Sequence, residues 1–113
     1  MNIQIFGTKK SADTRKAERY FKERGIKYQF VDLKEKGLSK GELTSVMQAV
    51  GGIDKLIDAA SKDKAALAVI QCVAEEDRFD KVLDNPQVLV QPIVRNGKKA
   101  TAGYQPDVWK SWD

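Results

Sequence analysis

The first 33 residues constrain the fold more than any other part of the chain, because two kinds of hydrophobic spacing follow each other there. "NIQIF" (residues 2–6) alternates polar and apolar positions, as a half-buried strand does. Gly7-Thr8 breaks that run. Residues 11–24 then predict a helix, with Ala17, Tyr20 and Phe21 at i, i+3, i+4 spacing. Ser11 suits the N-cap, Asp13 the first turn, and Gly25 the stop beyond the C-terminus. "KYQFVDL" (residues 27–33) predicts a second alternating strand. A strand, a crossover helix and a strand of the same sheet make a right-handed unit with the two strands parallel.

The second half has a different character. Ser39 can cap a helix carrying Leu43, Val46, Met47 and Val50, which ends at Gly51-Gly52. From residue 53 the spacing predicts short helices, broken near residues 61–64 and 75–77, until Asn85-Pro86 closes the helical stretch. "QVLVQPIVRNGKKATAGY" holds two β-rich runs around Asn96-Gly97, a strong hairpin signal. Pro106 suits the first turn of a short closing helix that carries Trp109 and Trp112, expected to pack on the sheet. Pro92 lies inside an apolar run, where a strand interior normally excludes proline for want of a ladder N–H. The order is β-α-β, a helical insertion over about residues 38–85, then a hairpin and a helix, all in a single domain of 113 residues.

Composition removes several classes of function. With one cysteine (Cys72) and no histidine, an internal disulfide is impossible and a soft-metal site is not expected. The usual general base for a serine or cysteine nucleophile is missing too. No apolar run approaches the ~18 residues of a membrane span, so a cytoplasmic protein without membrane attachment is expected. Residues 1–40 hold eleven Lys and Arg against five Asp and Glu, whereas the remainder is slightly acidic. The basic residues are not interleaved with aromatics in a nucleic-acid-binding motif, so direct nucleic-acid binding is not expected. In "ALAVIQCVA", Cys72 stands at i+3 from Val69, which predicts a buried structural thiol; a relocated redox thiol is the alternative.

The segments "IQIFGTKKSADTRKAERYFKERGIKYQFVDL", "GLSKGEL", "LDNPQVLVQPIV" and "NGKKATAGYQPDVW" come in an order and spacing that resemble the arsenate reductase-like (ArsC/Spx) branch of the thioredoxin superfamily. The resemblance covers essentially the whole chain. It implies an α/β fold with a thioredoxin-like mixed four-stranded sheet flanked by helices, and a cis peptide before Pro92 facing the start of the first helix. It also implies that the first helix begins at the redox-cysteine position. A helix N-terminus presents free N–H groups and partial positive charge, which stabilise a thiolate. In the family that cysteine attacks arsenate or a thiol partner and is regenerated by glutathione, glutaredoxin or thioredoxin. Here the position is Ser11, and Thr14 stands where many regulatory members carry a second cysteine.

A serine hydroxyl stays protonated at neutral pH without a base and has no sulfur redox chemistry, so Ser11 is expected to be a helix cap. The resemblance places an oxyanion-binding arginine at Gln91, another in the insertion where this chain reads Asp58-Ala59-Ala60, and a third near Gly103-Tyr104. Arsenate reduction is therefore not expected. Positive charge does remain around the helix start, at Lys9, Lys10 and Arg15. With Ser11 and the close turn at Gly7, these residues define a candidate site for a small anion, against the alternative of a solvated basic face. The resemblance leaves three functions: a thiol-disulfide or arsenate reductase, a binding or regulatory module like the Spx members that grip RNA polymerase, or a glutathione-binding relative without chemistry. No cofactor is expected, glutathione by family resemblance excepted. The partners implied are a redox protein or the transcription machinery.

Overall fold

In a computed structural model, which describes residues 1–112, β1 (Ile3–Gly7) lies inside a four-stranded sheet. Its neighbours are β2 (Tyr28–Asp32) on one side and β3 (Ile93–Asn96) on the other, with β4 (Lys99–Ala102) at the far edge. β1 runs parallel to β2, with Ile3 opposite Tyr28 and Phe6 opposite Val31. It runs antiparallel to β3, with Ile5 opposite Val94 and Phe6 opposite Ile93. β3 and β4 form a hairpin as expected, but its two-residue turn is Gly97-Lys98, one position beyond Asn96-Gly97: Asn96 still pairs with Lys99, and Gly97 at the first turn position takes a positive φ of 61°. The expected thioredoxin-like mixed sheet is present.

Because strand side chains alternate in direction, neighbouring residues of β1 feed two separate cores. Ile3 and Ile5 join Ala17, Tyr20 and Phe21 of α1 (Ala12–Glu23), Val94, and the two tryptophans. Phe6, together with Ile93, meets the helical segment between β2 and β3 instead. β1 is thus covered on both faces at Phe6, more buried than a half-buried strand. Trp109, in α5 (Pro106–Trp109), donates its indole N–H to Thr101 Oγ1 of β4 at 2.8 Å inside the core. Both tryptophans pack on the sheet, as expected.

Side-chain caps set the starts of the two longer helices between β2 and β3. α2 (Lys40–Val50) opens on a reciprocal box: the Glu42 N–H donates to Ser39 Oγ, and the Ser39 N–H donates to the Glu42 carboxylate. It ends at Gly51, whose φ of 93° suits the left-handed cap. Asp63 caps α3 (Lys64–Cys72), α4 (Arg78–Asp84) follows, and a single 3-10 turn at Pro86–Val88 leads into β3.

Cys72 corrects one expectation, because its thiol is exposed. The inward stripe of α3 is set by Leu67 and Ile70, three residues apart and both buried. Val69 and Cys72 share the next stripe round, which faces solvent, and Val69 is itself 49% exposed. The i, i+3 pairing is real, but it lies on the outer face.

Candidate site at the start of the first helix

β1 ends at Gly7, where nothing larger fits. The buried Thr14 side chain of α1 stands against it, so the turn between strand and helix is tight. The chain crosses Thr8, Lys9 and Lys10, with the Ser11 N–H donating back to the Thr8 carbonyl at 3.1 Å. Ser11 is extended, at φ −78° and ψ 120°, and its Oγ accepts the Thr14 N–H at 3.2 Å. Its carbonyl accepts the Arg15 N–H, so Ser11 is an N-cap with both oxygens engaged. The N–H groups of Ala12 and Asp13 find no acceptor among the described residues.

Gln91 reaches this turn from the opposite end of the chain. Its Oε1 accepts both the Thr8 N–H, at 2.8 Å, and the Thr8 hydroxyl, at 3.0 Å. The Gln91–Pro92 peptide is cis, as the fold resemblance implies, and Pro92 is buried. Gln91 thereby ties the strand-to-helix turn to the segment entering β3.

These residues open onto a groove of about 570 Å3 shared with the helical segment. Thr8, Lys10, Ser11 and Gln91 line one side, while Asp58, Ser61, Lys62 and Asp63 line the other. Sequence reasoning did not name Ser61, Lys62, Asp63 or Gln87 as site residues. Their signal was the helix break near residues 61–64, which turns the chain over the groove. Asp63 is fixed there: Gln87 Nε2 donates to one of its oxygens at 2.9 Å and the Ala66 N–H to the other at 3.0 Å. The backbone hydrogen bond from Ala66, then the side-chain hydrogen bond from Gln87, holds its carboxyl below the usual carboxylate range. Charge in the groove is mixed: Lys10 and Lys62 line it together with Asp13, Asp58 and Asp63.

The candidate anion residues are not all gathered at this groove. Lys10 and Ser11 line it; Lys9 and Arg15 do not. The Lys9 ammonium bonds both oxygens of the buried Glu18 carboxylate, at 2.9 and 2.8 Å, and lies 4.3 Å from the centre of the Phe30 ring. Tyr28 donates its hydroxyl to the same carboxylate at 2.9 Å. Partial burial first, then the Glu18 hydrogen bond and charge, push the Tyr28 hydroxyl up to about 12. Arg15 Nη1 is turned back to donate to the Lys9 carbonyl at 2.6 Å. Among the described residues no cluster of His, Cys, Asp and Glu could hold a metal ion, and no helix is long and apolar enough to cross a membrane.

The chain is similar along nearly its full length to proteins of one group. It is 28% identical over 109 residues to the "Global transcriptional regulator Spx 2" of Oceanobacillus iheyensis, a match spanning 95% of this chain and 80% of that protein. Among solved structures, an ArsC family related protein of Bacteroides fragilis superposes with a TM-score of 0.83 at 15% identity, over 100% of this chain and 98% of that one. An arsenate reductase from Vibrio cholerae superposes with a TM-score of 0.80 at 20% identity, over 96% and 94% of the two chains. At such identities the superpositions speak for the fold alone. The profile of the ArsC family itself matches residues 6–112, from the end of β1 through the closing helix, and on that match the chain belongs to the ArsC family.

Proposed function

We propose that this chain is a single-domain, non-catalytic binding or regulatory member of the ArsC/Spx group. The observation that carries the reading is the state of Ser11: a hydroxyl caps α1, with its Oγ engaged by the Thr14 N–H. In this reading Ser11 occupies the redox-cysteine position and Thr14 that of the second thiol. Gln91, in the slot of the oxyanion arginine, serves the fold by holding Thr8. Three carboxylates beside two lysines leave the groove poorly suited to a multiply charged arsenate. Similarity to a global transcriptional regulator favours a protein of the transcription machinery as the partner.

A small anion, or glutathione through its carboxylates, remains a ligand that this site would take weakly, held by the Ala12 and Asp13 amides and by Lys10. No other cofactor is proposed. A second reading, thiol-disulfide exchange through Cys72, draws on one observation, the exposure of its thiol. Reductase assays separate the two readings. The binding-module reading expects no turnover of arsenate or of a glutathione mixed disulfide. Turnover that disappears in Cys72→Ser would establish the second reading instead.

A further inference from the structure

A second concavity, of about 480 Å3, lies between α1 and α5 and shares no residue with the serine groove. One wall is the outer face of α1 with its C-cap, carrying Lys16, Arg19 and Arg24; the other holds Tyr104 and Lys110. Two of these groups are held in place. The Arg24 guanidinium stacks 3.7 Å from the Tyr20 ring centre while its Nη1 donates to the Tyr20 carbonyl at 3.1 Å. Tyr104 stands edge-on to the buried Trp109, 5.5 Å between centres, yet is 39% exposed. The positive charge is only partly compensated. Arg19 makes no ion pair among the described residues, and Lys16 and Lys110 have only exposed partners one turn away, at 3.8 and 3.7 Å.

We propose that this groove docks an acidic segment of a partner protein. Its carboxylates meet Arg19, Arg24 and Lys110, and an aromatic or apolar side chain rests on Tyr104 and Pro106. Charge complementarity selects the occupant: four cations outnumber Glu23 and Asp107 in the lining. Those two carboxylates also decide against nucleic acid, whose backbone carries a charge at every nucleotide and would set phosphates against them. A peptide can space its acids to avoid both. The pre-positioned arginine and tyrosine lower the ordering needed on binding. The nature of the partner rests on the binding-module reading, which the reductase assays decide separately.

The test is an amide chemical-shift titration of the full chain with an acetylated Glu-Glu-Tyr-Glu-Glu peptide. Lys-Lys-Tyr-Lys-Lys and an oligothymidylate serve as controls. Shifts are expected at residues 16–24 and 103–110 with the acidic peptide alone, diminishing as salt rises. The double variant Arg19→Glu/Lys110→Glu should weaken binding about tenfold, the summed effect of two exposed ion pairs. Lys98→Glu, at the hairpin tip, should not. Arg19→Gln/Lys110→Gln provides a milder pair should the charge reversal disturb folding. Absence of shifts at the groove, or an affinity unchanged in both double variants, would overturn the proposal. So would stronger shifts of the same amides by oligothymidylate.

Discussion

Thr14 fills the space in front of Gly7: a Cβ at position 7 would overlap Thr14 Oγ1 and stand 2.7 Å from its Cγ2. The contact joins the end of β1 to the first turn of α1, so it sets how closely the helix start approaches the sheet. Gly7→Ala should destabilise the protein by about 1–3 kcal/mol, the range for overpacking a tight interior. Adding Thr14→Ala should recover part of that loss, since it vacates the same space. Urea denaturation of the single and double variants checks this; additive effects would show that the two side chains do not compete.

Ser11 gives the second expectation. As an N-cap whose Oγ accepts the Thr14 N–H, it should stabilise α1 by about 1 kcal/mol, so Ser11→Ala should lower stability by that amount. Ser11→Asp, which keeps an acceptor at the cap, should lose little. Thermal melts of the two variants distinguish a cap from a residue whose oxygen has no structural part.

How much of this was legible in the sequence depends on the range of the contact. The order of elements, the cap at Ser11 and the two inward tryptophans follow from local spacing, and the structure agrees with them; the hairpin is present too, with its turn one residue further on than Asn96-Gly97. The second strand is two residues shorter than residues 27–33, because its ends leave the ladder at Tyr28 and Asp32. An apolar run as dense as "ALAVIQCVA" offers two stripes at helical spacing, so spacing alone points Cys72 to the wrong face. Only the packing of Leu67 and Ile70 decides between them. Pairings across the fold carried no local signal. Nothing near Lys9 announces Glu18 and Tyr28, and Gln91 meets Thr8 across 83 positions.

Tyr28 carries a pH dependence. Its hydroxyl is raised from 10.0 to about 12, so the fold favours the neutral form. The stabilisation is fully present below the unfolded value near 10 and is lost as pH rises through about 12. Stability should fall over that interval in the parent more steeply than in Tyr28→Phe, which has no proton to lose. Identical profiles for the two proteins would remove the Glu18–Tyr28 pair as the cause.

At the serine groove, phosphate or glutathione should bind in the millimolar region, about 4 kcal/mol. No arginine is available there for the bidentate hydrogen bonds that make oxyanion binding tight, and Arg15 is occupied by the Lys9 carbonyl. Amide shifts should centre on residues 10–14 and shrink with added salt. Shifts centred elsewhere, or none at several times that concentration, would leave Ser11 as a cap alone.

The central claim is that the start of α1 holds a cap and not a nucleophile, and arsenate-dependent NADPH oxidation measures this most directly. With glutathione and glutaredoxin, or with thioredoxin and its reductase, the account predicts a rate equal to that without the protein, in the parent and in Cys72→Ser alike. Arsenate-dependent oxidation above that background would contradict it. Its loss in Cys72→Ser would place the chemistry at the Cys72 thiol, since a hydroxyl has no sulfur redox chemistry to offer.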